Sequence, residues 1–455
     1  MSDGQGNMTV AAGPAGLRPE INAWYLWSFA VGLVISGEYF GWNYGWGVAG
    51  TVGFLVTTLI VAVLYIAFIF SFTELTTALP HAGGPFAYAL RAFGPAGGLI
   101  AGYATLIEFV FAPPAIAAAL GGYIHFMFAQ VDALAVGIAA YAIFVGINVL
   151  GVKQAVRFEF CVTVLAVVEL MVFMAVVAPG FEMRNFLADP MPAGYVGVLA
   201  AIPFAIWFFL AIEGVAMVAE EVKDPHTTIP RGYASGILTL VALALGVMVF
   251  AGGVGDAAKL AKVDYPLPEA MAQVVGRQSG WIHMLVAIGL FGLLASFHGI
   301  ILACSRQIFA LARAGYLPAV LAALHPVRRT PRPALIATGV LGVVALISGK
   351  TNELITLSAL GAIVMYITSM LSLFRLRRRE PGLARPFRAP WYPVTPIVAL
   401  ALSILSLAVI AWFNVALTLF FTGGLGIAYV YFRLTGAQRA GAAHDALLVP
   451  VRKKT

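Results

Sequence analysis

Twelve apolar stretches run from residue 24 to residue 433, separated mostly by short polar loops. Their loose bounds are 24–48, 52–73, 96–125, 131–150, 158–178, 196–219, 233–253, 282–312, 333–349, 353–374, 393–411 and 414–433. Crossing the hydrocarbon of a bilayer takes about 20 mostly apolar residues. The expectation is therefore an all-α integral membrane protein with about 12 transmembrane helices. Only 10% of the chain is charged and 61% is apolar, whereas a soluble domain carries about 25% charge. The longest gap, about 254–281, holds Asp256, Lys259, Lys262, Asp264 and Glu269 among little apolar material and reads as an external loop. Cys161 and Cys304 lie inside apolar runs and read as core thiols, with no disulfide framework and no metal spacing.

The formal charge of +7 does not point to nucleic acid, because membrane proteins gather Lys and Arg in cytoplasmic loops. Lys153 and Arg157 mark one such loop, Arg328, Arg329 and Arg332 a second, and the run from Arg375 to Arg388 a third. Residues 1–20 are polar and Gly-rich and lack the pattern of a cleavable signal. Both termini are expected in the cytoplasm of a multi-pass protein of the inner (plasma) membrane.

Two spans look interrupted. The first contains "VISGEYFGWNYGW", with Ser36-Gly37 followed by Glu38; the sixth contains "FLAIEGVAMVAEE", with Glu213 followed by Gly214. Matched interruptions in two halves are the sequence mark of a transporter's binding site, and unwound backbone at that depth must be buried or line a cavity. The alternative for each glycine is close helix packing.

Four segments then carry a family resemblance: "PHAGGPFAYALRAFGPAGGLIAGY" (Pro80 to Tyr103), "NVLGVK" (Asn148 to Lys153), "FLAIEGVAMVAEEVKDPHTTIPRG" (Phe209 to Gly232) and "SRQIFALARAGYLPAVLAALHPVRRTPRPAL" (Ser305 to Leu335). In this order they resemble the amino acid–polyamine–organocation superfamily of secondary transporters. The first interruption is most similar to the ethanolamine permease group: an acid follows Ser36-Gly37, where relatives that carry amino acids have a Gly-Ser-Gly run. The resemblance implies a leucine-transporter-like fold, a 5+5 inverted repeat with helices 1 and 6 broken, plus two C-terminal helices. The organisation expected is a cytoplasmic tail over 1–20, a first repeat over 21–180, a second over 195–375, two further helices over 390–434 and a cytoplasmic tail over 435–455.

The resemblance places substrate between the two breaks. Candidates for contact are Ile35, Ser36, Gly37, Glu38 and Tyr39 at the first, Trp207, Phe208, Phe209, Ala211 and Glu213 at the second, with Ala117 and Ser296 from spans three and eight. An ionised carboxylate at mid-membrane costs about 2.5–3.5 kcal/mol, and no Lys or Arg lies at comparable depth. Glu38 is therefore read as holding a substrate ammonium, with protonation and a bond to unwound backbone as the alternative. Coupling or gating candidates are Glu108, Glu169, Glu213 and Trp207. The proton is the first coupling ion considered, because a lone Ser296 is thin ground for sodium. A Lys that some proton-coupled relatives use in span five is replaced here by Ala166. The acids and bases at Glu220, Glu221, Lys223, Asp224 and Arg231 read as a solvated loop network, and Pro113-Pro114 as a kink in span three.

The function implied is import of a small cationic amine, ethanolamine first, by alternating access linked to protons or membrane potential. An amino acid permease or exchanger is the alternative. No cofactor, no nucleic acid and no enzymatic site is expected. Ser348-Gly349-Lys350-Thr351 fails as a phosphate-binding loop because Val344 stands where Gly is needed.

Overall fold

In hydrocarbon a chain must satisfy its own backbone, which leaves helix as the default for an apolar sequence. A computed structural model describes residues 21–81, 83–151, 156–328 and 330–435, and all its extended elements are helical. The first half contains α1 (Ala23–Val34), α2 (Ser36–Tyr39), α3 (Tyr44–Ala78), α4 (Gly84–Phe93), α5 (Pro95–Met127), α6 (Ala133–Leu150), α7 (Val156–Val177) and α8 (Met183–Phe186). The second half contains α9 (Gly194–Ala200), α10 (Ile202–Trp207), α11 (Pro225–Gly252), α12 (Ala257–Leu260), α13 (Pro266–Val275), α14 (Gly280–Arg313), α15 (Arg332–Ile347) and α16 (Thr351–Arg379). Two more follow, α17 (Val394–Phe413) and α18 (Val415–Leu434). The tails expected over 1–20 and 435–455, apart from Thr435, lie outside the described residues, as do Ala82, Lys153, Arg329 and the side chains of Arg157 and Glu220.

Nine of these helices are long and apolar enough to cross a membrane. The other three expected spans are α1 with α2, the broken run from α9 to Glu221, and the 16-residue α15. Gly50 interrupts α3 with φ 70° and ψ 178°, at the boundary expected between spans one and two. Residues 44–49 thus belong to the outer end of span one. Side chains start several helices: Asn22 accepts from the Tyr25 N–H at 3.0 Å and Asp132 from the Ala135 N–H at 2.8 Å. α5 continues as helix through Pro113 and Pro114.

Packing repeats between the halves. α1 lies against α7 and α11, as α10 lies against α16 and α3. α5 packs on α16 and α6, as α14 packs on α7 and α15. This is the contact pattern of five helices and their inverted copy. It brings the interrupted members of each half into the centre.

Three expectations change. The 254–281 segment is a folded cap: Leu260, Leu267, Ala270 and Met271 are buried, the last three of them at helical spacing in a helix of only 10 residues. Glu269 is buried between Lys259 and Arg277, the latter at 2.8 Å. Cys161 is exposed on α7, and only Cys304 is buried, because α7 turns that face away from its neighbours. The loop network after the sixth span is a cap and an ion pair. Asp224 accepts from Thr227 Oγ1 at 2.6 Å at the start of α11, while Glu221 pairs with Arg306 of α14 at 3.6 Å.

The cap has a titrating group. Burial pushes the Asp264 carboxyl above its ordinary range, against a hydrogen bond from the Tyr44 hydroxyl that lowers it. The folded protein therefore keeps a proton that the unfolded chain releases near pH about 3.9. Stability falls as pH rises through the window above that value. Asp264→Asn is expected to flatten this decline, as read by Tm between about pH 4 and about pH 8. An unchanged slope in the variant would place the effect elsewhere.

Candidate functional site

The first break begins where α1 ends. The Ile35 N–H still donates to the Val31 carbonyl at 2.8 Å, and α2 carries the chain to Tyr39. Phe40 is then fully extended (φ −163°, ψ 173°) and Gly41 takes φ 91°, a conformation that suits glycine. The expected interruption at Ser36-Gly37 is thus only a change of helix, and backbone leaves helical geometry one turn later. Freed groups are met locally: the Gly41 N–H donates to Asn43 Oδ1 at 2.9 Å and Trp42 Nε1 to the Glu38 carbonyl at 3.1 Å.

The second break lies at Phe208–Ala211, immediately ahead of the Glu213-Gly214 pair that marks it in the sequence. α10 ends at Trp207, Ala211 is left-handed (φ 77°), and Ile212–Glu221 continues as a 3₁₀ helix. An Ala held left-handed costs of order 1–3 kcal/mol and persists only where its surroundings enforce it. Such positions cluster at functional sites.

The two breaks touch. A Cβ on Gly37 would lie 2.5 Å from the Trp207 carbonyl oxygen and 3.2 Å from Phe208 Cα. Trp207 meets Phe40 edge-on at 5.4 Å, Phe208 stacks on Trp42 at 5.8 Å, and Phe209 packs on Tyr65 at 5.1 Å. The cleft between them, lined by Leu33, Val34, Ser36, Trp207, Leu210 and Ile300, has no room for a water molecule. The ends are also tied. Asn43 Nδ2 donates to the Leu260 and Val263 carbonyls of the cap, and Ile21 pairs with Val222 at the opposite end.

Polar side chains surround this seam. Ser296 of α14 donates to the Leu33 carbonyl at 2.6 Å, so Ser36 donates to Ser296 at 2.8 Å. Tyr39 donates to Glu169 Oε2 of α7 at 2.5 Å, and Tyr123 of α5 donates to the Tyr39 carbonyl at 2.9 Å. Ile35 is buried beside the break. Ala117 is buried on α5 with its carbonyl against Gly137 of α6.

The four acids fall into two groups. Glu38 is wholly buried, and neither carboxylate oxygen has a hydrogen-bond partner among the described residues. Tyr39 and Glu169 lie behind it on the α7 side. Across the seam, Glu108 of α5 faces Glu213 of the 3₁₀ helix, and Glu213 Oε2 accepts from Tyr366 of α16 at 3.1 Å. Tyr366 is also 2.8 Å from the Tyr65 hydroxyl. Two ionised carboxylates side by side in low dielectric repel strongly, and one shared proton removes the conflict. Sequence reading named all four acids but not Tyr65, Tyr123, Tyr366 or Asn43. The available signal was a hydroxyl or amide in an apolar span that needs a partner when buried.

A helical bundle built of two inverted halves, with facing broken helices and buried acids at the junction, defines a membrane transporter. The chain belongs to the amino acid permease family: the family model matches residues 21–433. It is 27% identical over 390 residues to an uncharacterised transporter of Rhizobium meliloti, covering 83% of each chain. It is 24% identical over 451 residues to the branched-chain amino acid permease BcaP of Bacillus subtilis, covering 94% of this chain and 96% of that one. It is also 26% identical over 351 residues to the methylthioribose transporter of the same bacterium, at 72% and 75% coverage.

Proposed function

We propose that this permease is a secondary active importer of a small amine that carries an ammonium group and no carboxylate, with ethanolamine as first candidate. The observation that carries the reading is the buried, unpartnered carboxylate of Glu38 beside the contact of the two breaks. An ammonium donates up to three hydrogen bonds, and the surrounding aromatics favour a cation as well. Trp207, wedged over Phe40 and Gly41, is the lid of that position. The Glu108–Glu213 pair is the site where a coupling proton would bind, and Tyr39–Glu169 a second. Membrane potential adds about 2.3 kcal/mol per 100 mV for a cation moving inward. Import takes place across the plasma membrane, with both termini cytoplasmic.

Similarity to BcaP along nearly the whole chain favours a second reading, an amino acid permease or exchanger. Against it, Glu38 would repel a substrate carboxylate, and the Gly41 N–H is already engaged by Asn43. Uptake of labelled ethanolamine into proteoliposomes, with and without an imposed pH gradient, separates the two. Efflux counterflow should be driven by ethanolamine and not by leucine, alanine or arginine. Counterflow driven by leucine and unmoved by ethanolamine would establish the second reading instead.

A further inference from the structure

Six arginines fall between Arg375 and Arg388, where α16 ends and the chain turns toward α17. They are not uniform. Arg377 grips the buried Glu74 of α3 through two bonds of 2.7 and 2.5 Å, and Arg385 Nε reaches the same carboxylate at 3.2 Å. Two guanidinium groups on one carboxylate leave a positive charge uncompensated. The terminal nitrogens of Arg385 are spent on the Leu376, Glu380 and Leu383 carbonyls. Arg377 lies 3.6 Å over the Tyr392 ring, and its Nη1 has no acceptor among the described residues. Arg388 is exposed and has no partner among the described residues. Arg377, Arg385, Arg388 and Pro381 line an open surface cavity of about 210 Å³.

This is an anion site already part-built, since the guanidinium fork matches phosphoryl oxygens. Its position narrows the source. It sits at the end of a membrane-spanning helix, on the side that the basic loops assign to the cytoplasm. Trp391 (83% exposed) and Val394 (56% exposed) follow Arg388 by three and six positions, on either side of Tyr392, whose ring Arg377 covers, and exposed aromatic residues of this kind mark the headgroup level. We propose that the cavity binds a phosphoryl group, supplied by the headgroup of an anionic membrane lipid whose acyl chains lie along Trp391 and Val394. Basic pockets at helix ends bind such headgroups. The inference is independent of the transported substrate.

The test uses the purified full chain in neutral detergent, with phosphatidylglycerol, phosphatidylcholine and inorganic phosphate as separate probes. Phosphatidylglycerol should raise Tm with concentration, as any ligand of the folded state does, and phosphatidylcholine should not. Arg388→Gln removes the free arm of the site without touching the Glu74 cluster. It should need about tenfold more phosphatidylglycerol for the same shift. The double variant Arg378→Gln/Arg379→Gln, which changes two exposed arginines outside the cavity lining, should keep the response. An undiminished response in Arg388→Gln, or an equal response to phosphatidylcholine, would overturn the site. If inorganic phosphate alone gives the wild-type shift and Arg388→Gln loses it, the lipid source is overturned in favour of a soluble phosphoryl ligand.

Discussion

Ethanolamine uptake should fall more than a hundredfold in Glu38→Gln, while the ligand-free variant becomes no less stable than the natural protein. Both parts follow from the same geometry. Truncating one partner of a buried, hydrogen-bonded charge pair costs about 2–5 kcal/mol, and about 3 kcal/mol exceeds a factor of one hundred. Gln has the shape of Glu and keeps a carbonyl acceptor, so the loss isolates charge. In the absence of substrate the change works in the other direction. Both carboxylate oxygens of Glu38 are without protein partners, and an ionised group there costs about 2.5–3.5 kcal/mol. Removing the charge returns that cost, so Tm should hold or rise. A side chain kept only for packing would leave uptake unchanged on substitution by its isostere, and one bonded to unwound backbone would lose stability. Uptake in proteoliposomes and Tm on the same preparation check both parts. Undiminished ethanolamine affinity in the variant would remove the proposed role of Glu38.

Much of this arrangement was legible in the sequence, because the bilayer imposes one periodicity and one length. All twelve expected spans have helical counterparts, and the boundary between the first two falls on Gly50. The breaks were legible in kind and displaced in position. At the first, the sequence marks Ser36-Gly37, but the backbone turns at Phe40-Gly41, where an extended residue is followed by positive φ. At the second, an Ala adopts the left-handed conformation that a Gly would have advertised. No local propensity marks such a residue; it joins α10, packed on α3 and α16, to a 3₁₀ helix packed on α3 and α11.

The acids were legible one by one and their grouping was not. Glu108 and Glu213 are separated by 105 positions in the chain, and α16 reaches both, through Ser358 on the Glu108 carbonyl and Tyr366 on the Glu213 carboxylate. Tyr366 and Tyr65 are hidden for the same reason, while Tyr39 is marked in the sequence for substrate and not for its bond to Glu169. A Tyr in an apolar span reads as core until its hydroxyl is seen to end on a carboxylate, as that of Tyr366 does. The tight cap over 254–281 is hard to read because its apolar residues fall in helices of only four and ten residues, too short to register as a span.

Gly37→Ala should lower uptake by about 5- to 150-fold while leaving substrate binding to the open state largely intact. In an isolated helix this substitution is favourable, since Ala is the better helix former by about 1 kcal/mol. Here the sign reverses. The added Cβ would stand 2.5 Å from the Trp207 carbonyl oxygen and 3.2 Å from Phe208 Cα. Both are backbone atoms, which cannot swing aside as a side-chain tip would. The two breaks must part by several tenths of an ångström, and overpacking of this kind costs about 1–3 kcal/mol. On the proposed alternating access, the state of this structure, with the breaks in contact, is the closed one. A cycle that passes through it carries the penalty in turnover, and a state with the breaks parted does not. Uptake measured beside an ethanolamine-induced Tm shift distinguishes the two. Wild-type uptake by Gly37→Ala would mean that the contact between Gly37 and Trp207 is not made during transport.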